Sequence, residues 1–155
     1  NLSDEQLAPI MQPILKAHGI ETSDELAGKA AGIMKERMTL TTDMWDLTSF
    51  FFVAPTEYEE KLTKKQWKGE NPAMLKELRS VLEAIDDFSK ENTEAVVRAW
   101  IEAKGFSLGQ VMNTLRLALV GAGKGPGMFD VTEFIGKAEC LKRIDNLINS
   151  VTPAE

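Results

Sequence analysis

The sequence predicts an all-α fold composed of two small helical subdomains. Apolar residues recur at the helical spacing of three and four along nearly the whole chain, and no stretch shows the sustained alternation of a β-strand. Residues that cap helix N-termini precede most of these apolar stripes, and glycines follow several of them. A chain of 155 residues suffices for one domain, or for two small subdomains that share a core.

Capping residues mark the helix starts, because a Ser, Thr, Asp or Asn side chain can accept a hydrogen bond from the first turn. In chain order, the predicted caps are Ser3, Thr22, Thr41 or Thr42, Thr56, Asn71, and Asn92 or Thr93. The predicted helix ends are Gly19, the residue before Pro55, Gly69, Gly105 and Gly121. Two last helices cover 129–135 and 137–149. Since Pro9 and Pro13 lack a backbone donor, we expect the first helix to kink or to start late.

The predicted subdomain boundary lies at Gly69-Glu70-Asn71. A glycine there closes one helix, and Asn followed by proline starts the next. We therefore expect subdomains at 1–69 and 70–155. The tryptophans fall at core spacing, so we expect Trp45 and Trp100 to be packing anchors and Trp67 to lie in the core.

Composition narrows the class of protein. The chain has 43% hydrophobic residues, which is typical of a globular protein with a core. No apolar run approaches the ~20 residues of a transmembrane helix, and the polar first residues do not resemble a secretory signal. Because the chain begins at Asn1 without a methionine, we expect it to be a piece of a longer protein. The single cysteine, Cys140, cannot form an internal disulfide and is expected to be a small buried hydrophobe.

The sequence contains no convincing catalytic constellation. The only histidine, His18, lies at a predicted helix C-terminus, where it complements the helix dipole. One histidine and one cysteine far apart make no zinc pattern, so we expect no metal site. Acidic pairs such as Glu59-Glu60 lie on charged faces, which do not provide the two different environments that acid and base catalysis need.

The segment LRLALVGAGKGPGMFD, residues 115–130, places glycines and a proline directly after an apolar helix. A P-loop would need glycine at Ala118 and a hydroxyl at Gly125, and a dinucleotide fingerprint from Gly121 would need glycine at Pro126. Both motifs also follow strands, so both nucleotide interpretations fail. Two interpretations stay open: a plain connection between helices, which spacing alone favours, or a loop whose backbone contacts unstacked RNA bases.

Charge is unevenly distributed, although the net charge of −6 by itself argues against nucleic acid. The segment from Lys104 to Arg143 carries a net +3, so the remainder of the chain carries −9. Its cations are Lys104, Arg116, Lys124, Lys137, Lys142 and Arg143. The local field, more than the total charge, decides whether a surface attracts phosphates.

Five short motifs follow one another in the second half of the chain. They are Leu115-Arg116, Gly121, Pro126-Gly127-Met128-Phe129, Ile135-Gly136 and Leu141-Lys142-Arg143. Upstream, MKERMTLTTDMWDLTSFFF contains an Arg-x-Thr-Leu segment followed by a phenylalanine run. These motifs and their spacing resemble the C-terminal end of bacterial glutamyl-tRNA synthetases over essentially the whole chain. The resemblance implies the anticodon-binding region alone, an all-helical bundle or cage.

The resemblance implies a role for two arginines. Arg37 aligns with the arginine that reads the third anticodon base and helps to separate glutamate tRNA from glutamine tRNA. Arg116 aligns with the arginine that contacts anticodon bases from the last helical subdomain. A forked guanidinium is suited to such hydrogen bonds with base edges.

The resemblance also implies a role for the loop after Arg116. Gly125, Pro126 and Met128 align with the loop that packs on an extruded anticodon base. Gly125 departs from the side-chain-bearing residue typical of that position, whereas Met128 replaces a leucine of similar volume. Lys124 is expected to contact phosphate, from its charge and position alone.

For the whole protein, the resemblance implies a cytoplasmic glutamate–tRNA ligase that uses ATP and magnesium in an upstream catalytic domain. The chain itself is expected to bind the anticodon stem-loop of tRNA(Glu) as a monomer, with no cofactor, no membrane partner and no activity alone. HGIE at His18 and KLTKK at Lys61 are only superficially similar to the catalytic signatures. Two alternatives stay open: a helical protein-interaction domain without RNA binding, and an enzyme that also charges tRNA(Gln).

Overall fold

The computed structural model describes residues 3–35 and 44–153, which form eight α-helices and no β-strand. The predicted all-α fold is confirmed. The chain divides into two compact units, Asn1–Val53 (unit 1) and Ala54–Glu155 (unit 2). Unit 1 contains α1 (Asp4–Ala17), α2 (Asp24–Met34) and α3 (Met44–Phe52). Unit 2 contains α4 (Glu60–Gln66), α5 (Asn71–Glu83), α6 (Lys90–Lys104), α7 (Leu108–Leu119) and α8 (Met128–Ser150).

The packing of α1 along α2 builds the core of unit 1. The predicted capping box is confirmed, since Ser3 Oγ accepts the N–H of Gln6 and Gln6 Oε1 accepts the N–H of Ser3. Because this box fixes its start, α1 begins at Asp4 and contains both prolines, so it does not start late. The core side chains are Leu7, Met11, Leu15, Ala27, Ala31 and Met44.

Two helix starts differ from the prediction because a neighbouring hydroxyl serves as the cap. Ser23, rather than Thr22, accepts an N–H of the first turn of α2 at 3.2 Å. Ser89, rather than Asn92 or Thr93, caps α6 and accepts the N–H of Asn92 at 3.4 Å. The predicted caps at positions 41 and 42 lie outside the described residues.

The starts of α4 and α5 also differ from the prediction. Glu59, not Thr56, precedes α4, and no side chain caps that helix. Asn71 is the first residue of α5 instead of its cap, and its Nδ2 donates to the carbonyl oxygen of Gln66 at 2.6 Å. This hydrogen bond joins α5 to the end of α4. The atom that would cap α5, Asn71 Oδ1, instead accepts a hydrogen bond from Gln110 Nε2 at 2.7 Å.

Residues 54–69 pack with unit 2. Trp67 is 1% exposed, as predicted for a core residue, and its Nε1 donates to the carbonyl oxygen of Val151 at 2.8 Å. Asn146 Nδ2 donates to the hydroxyl oxygen of Tyr58 at 3.1 Å. Because of such contacts, the two compact units divide at Val53, ahead of the boundary expected at Gly69. Functional subdomains at 1–69 and 70–155 stay a prediction.

Helix α7 is the central helix of unit 2. It packs against α4, α5, α6 and α8. Its buried residues lie on several faces and are Val111, Thr114, Leu115, Leu117, Ala118 and Leu119. A helix that is apolar on most faces must be covered by other helices. The loop that follows α7 therefore starts from the interior of unit 2.

Helix α8 consists of two helical parts that meet at Gly136, which confirms the prediction of two last helices. Gly136 has φ 83° and ψ 166°, values that are not helical. The second part carries Cys140, which is fully buried, as predicted. Burial raises the pKa of Cys140 to about 12, so the thiol stays protonated at neutral pH. Neither α8 nor another helix within 3–35 and 44–153 is long and apolar enough to cross a membrane.

We expect Gly136→Ala to lower the free energy of unfolding by about 1–3 kcal/mol, because its φ and ψ lie in a region almost reserved for glycine. A methyl group at this position would meet nothing within 4 Å, so the loss reports backbone conformation alone. Gly109→Ala in α7 is the matched control, since its methyl also meets nothing within 4 Å. The control should gain about 0.4–1 kcal/mol. Urea denaturation measures the free energy of unfolding of both variants. Equal changes in the two would show that the backbone conformation at Gly136 does not disfavour alanine.

Candidate nucleic-acid interface

The loop between α7 and α8 is fixed at its start by Gly121. This residue has φ 81°, and its carbonyl oxygen accepts the N–H of Glu59 at 2.7 Å. A Cβ at Gly121 would lie 2.7 Å from Cβ of Pro55 and 2.9 Å from the carbonyl oxygen of Glu57. The segment 55–59 therefore lies directly against the loop, and only glycine fits this contact with this backbone conformation.

Arg116 braces the same loop from the last turn of α7. Its Nη1 donates to the carbonyl oxygens of Lys124 and Pro126, both at 2.9 Å. The arginine is half-buried, so these bonds form in a partly desolvated environment. A hydrogen bond from a charged donor contributes about 1.5–3 kcal/mol, and two of them strongly favour one conformation of the loop. The loop is thus preorganised in the absence of RNA.

The structure gathers five of the six predicted site residues around this loop. Lys124 is exposed, and Gly125 is partly exposed with φ 110°. Pro126 is buried, and Met128, the first residue of α8, is 3% exposed. The apolar side chains therefore pack in unit 2, while Lys124 and the glycine backbone face solvent.

Arg37, the sixth predicted site residue, lies outside the described residues. Its sequence position is between α2 and α3. Its role in reading the third anticodon base stays a prediction.

Several cations of the positive segment are engaged within the protein. Lys104 Nζ lies 2.9 Å from a carboxylate oxygen of Glu77. Lys137 Nζ donates to two backbone carbonyl oxygens at 3.2 and 2.8 Å. Arg143 is 2% exposed, and it donates to Glu139 at 2.7 Å and to a backbone carbonyl of α7 at 2.8 Å. The sum of charges in this segment therefore overstates the charge available to a phosphate.

A pocket beside the loop was not predicted from the sequence. Its volume is about 560 Å³, and its polar lining includes Thr56, Tyr58, Lys142, Asn146, Asn149 and Ser150. Pro55 lies in the wall of this pocket and also against Gly121, so the pocket and the loop share a wall. The sequence signal was present, because spacings of four and three residues place the α8 side chains on one helix face. The sequence did not show that residues 54–58 pack beside this face of α8, because that contact depends on the fold.

The described part of the chain does not bring metal-ligating side chains together. No group of three His, Cys, Asp or Glu side chains in 3–35 and 44–153 could hold a metal ion. His18 follows the end of α1, as predicted, and its ring stacks on Trp45 with centroids 3.9 Å apart. Trp100 packs against Phe106 at 5.4 Å. Both tryptophans are half-buried. Trp45 packs against the core of unit 1, as expected for a packing anchor, whereas Trp100 contacts Phe106 outside the fully buried core.

Residues 6–148 match the family model described as the anticodon binding domain. The match extends from α1 into α8 and includes the loop with Arg116. The chain belongs to the anticodon binding domain family. The resemblance inferred from the sequence motifs is confirmed, and the fold is the helical one of glutamate–tRNA ligases.

Relatives and solved structures give the same result. The chain is 54% identical over 142 residues to a glutamate–tRNA ligase of Phocaeicola vulgatus, covering 92% of this chain and 28% of that protein. It is 48% identical over 146 residues to that of Parabacteroides distasonis, covering 94% and 29%. A crystal structure of a glutamate tRNA ligase from Elizabethkingia meningosepticum, in complex with its amino acid, superposes with TM-score 0.91 at 38% identity, covering 97% and 30%. The chain spans less than a third of these proteins.

We expect Gly121→Ala to lower the free energy of unfolding by at least about 1–3 kcal/mol, because alanine is strained at φ 81° and its methyl overlaps Pro55. Gly123→Ala, in the same loop, is the matched control. Its methyl would meet only a carboxylate oxygen of Glu59 at 3.9 Å, so stability should change by less than about 0.5 kcal/mol. Thermal and urea denaturation check both. A Gly121→Ala protein as stable as the control would show that the loop base tolerates a side chain.

Proposed function

We propose that this domain reads the anticodon of tRNA(Glu) for a glutamate–tRNA ligase. The observation that carries the proposal is a glycine-rich loop, braced by Arg116, in a chain of the anticodon binding domain family. The catalytic domain would lie in the same protein and attach glutamate with ATP and magnesium. This domain would contribute tRNA recognition as part of a monomer, without a cofactor of its own.

The mechanism of reading follows from how single-stranded RNA is recognised. Proteins bind splayed bases of RNA loops by stacking and by hydrogen bonds to their edges. A glycine backbone at 121–127 allows a base to approach closely, and Lys124 adds a positive charge at the exposed side. The buried Pro126 and Met128 support the loop from below. Since Arg116 fixes the loop beforehand, less conformational entropy is lost when RNA binds.

Selectivity for tRNA(Glu) is assigned to Arg37 by the motif that surrounds it, Arg-Met-Thr-Leu. An arginine at this position favours an enzyme that separates glutamate tRNA from glutamine tRNA. An enzyme that charges both is the second candidate, and a smaller neutral residue at position 37 would favour it. The two candidates differ in one measurable quantity, the ratio of glutamylation rates for the two tRNAs.

The first test is a titration of this chain with tRNA(Glu), and with a variant altered at the third anticodon base, at low and moderate salt. We expect binding that prefers the cognate anticodon and weakens steeply with salt, because phosphate contacts release counterions. The chain alone should support no ATP–pyrophosphate exchange. Absence of binding at low salt by both this chain and the full-length ligase would reject RNA recognition and favour a protein-interaction domain.

Arg37→Gln in the full-length ligase is expected to reduce the preference for tRNA(Glu) over tRNA(Gln), because glutamine lacks the charged fork of arginine. The measurement is glutamylation of both tRNAs under identical conditions. Arg98→Ala is the control, since Arg98 is an exposed cation whose Nε pairs with Glu94 on the same helix. If Arg37→Gln and Arg98→Ala show the same preference for tRNA(Glu) over tRNA(Gln), Arg37 does not take part in reading the anticodon.

Arg116→Ala in the full-length ligase is expected to reduce kcat/KM for cognate aminoacylation by about 10- to 150-fold, the equivalent of a lost charged hydrogen bond. In the RNA-free protein, the same variant should exchange the amide hydrogen of Glu59 faster, because this N–H is bound by Gly121 of the loop that Arg116 braces. Arg98→Ala should change neither quantity. Unchanged kinetics together with faster exchange would leave Arg116 a structural role only.

A further inference from the structure

We propose that the pocket of unit 2 lined by Tyr58, Lys142 and Asn146 binds a phosphate of the RNA backbone next to the anticodon loop. The inference rests on the proposed function. It adds a contact that strengthens RNA binding but does not depend on the base sequence. Three observations support it: the donors that line the pocket, the absence of carboxylates from its lining, and the wall that it shares with the glycine loop.

The pocket contains an ordered row of polar side chains. Ser150 Oγ donates to Asn146 Oδ1 at 3.2 Å, and Asn146 Nδ2 donates to the hydroxyl oxygen of Tyr58 at 3.1 Å. Among the described residues, the Tyr58 hydroxyl accepts this bond and donates none. Burial raises the pKa of Tyr58, an effect that the hydrogen bond from Asn146 partly opposes. The hydroxyl therefore stays protonated at neutral pH and has a proton to donate to an incoming anion.

Lys142 supplies the positive charge of the pocket. It is exposed, and no carboxylate within the described ranges pairs with its ammonium. The neighbouring Arg143 is already bound to Glu139 at 2.7 Å, so it adds no net charge. A lysine on a flexible stem binds phosphate as a point charge and tolerates different backbone geometries.

Two other pockets of the described residues differ from this one in charge. One, in unit 1, is lined by Asp4, Glu5, Asp24 and Glu25. Another, in unit 2, is lined by Asp86 and Asp87. The lining of the pocket at Lys142 has no carboxylate at all. A phosphate would therefore be repelled from the two others and attracted to this one.

The position of the pocket connects it to the reading loop. Pro55 lines the pocket and would touch a side chain placed at Gly121, while Glu59 binds the carbonyl of Gly121. Each nucleotide of an RNA strand carries one phosphate, so an RNA stem-loop held at the glycine loop brings several phosphates near this wall. The backbone of the same RNA can thus enter the pocket while its bases contact the loop.

Lys142→Ala tests the charge. We expect the slope of log binding constant against log salt for tRNA(Glu) to become less steep by about 0.7–0.9, as for one lost phosphate contact. The preference for the cognate anticodon should stay as in the wild type. Lys76→Ala is the matched control, because Lys76 is an exposed lysine on α5 and should not alter the slope. If the wild type binds normally and Lys142→Ala leaves the slope unchanged, the phosphate contact at this pocket is overturned, while the proposed function is not.

Tyr58→Phe tests the hydroxyl, and we expect it to weaken binding by about 2- to 12-fold, the cost of one neutral hydrogen bond. Tyr58 is the single tyrosine of the chain, so ring-labelled tyrosine gives one assigned NMR signal. Addition of the anticodon stem-loop should shift this signal, and inorganic phosphate at the same phosphate concentration should not. A shift of equal size with inorganic phosphate would identify a free-anion site and reject the RNA contact. No binding of RNA by either the wild-type chain or the full-length ligase would instead reject the proposed function.

Discussion

The burial of α7 among four other helices is the constraint on which unit 2 depends. A helix enclosed in this way cannot rotate without disturbing every neighbour, because protein interiors are close-packed. Its C-terminal carbonyls need partners, and Arg143 supplies one by donating to the carbonyl oxygen of Leu119 at 2.8 Å. Burying this guanidinium carries a desolvation cost that Glu139 offsets. The glycine loop therefore starts from a fixed point.

How far the sequence predicted this structure depends on the range of each interaction. The Ser3–Gln6 capping box, the break at Gly136 and the burial of Cys140 rest on local patterns, and all three are confirmed. The choice of Ser23 over Thr22 could not be made, because adjacent hydroxyls offer nearly equal caps. The two-unit division depends on pairs far apart in sequence, which periodicity does not reveal.

As with the fold, local sequence patterns predicted part of the candidate site, whereas its contacts within the folded protein were not predicted. Sequence motifs supplied the residues of the loop and their family. They did not reveal that Arg116 binds the carbonyls of Lys124 and Pro126, nor that Met128 is buried. The net charge also said little about the charge that reaches solvent. Lys104, Lys137 and Arg143 are engaged within the protein, so the sum of charges over 104–143 differs from the charge at the surface.

The hydrogen bond from Trp67 to Val151 joins residues 84 positions apart, and it sets an order of events during synthesis. The core of unit 1 uses side chains between Leu7 and Phe51, so it can assemble before most of unit 2 has left the ribosome. Unit 2 completes its core only after Val151 has emerged, because contacts of long sequence separation form late. A nascent chain thus acquires its support for the glycine loop only after the segment that carries Val151 has joined unit 2.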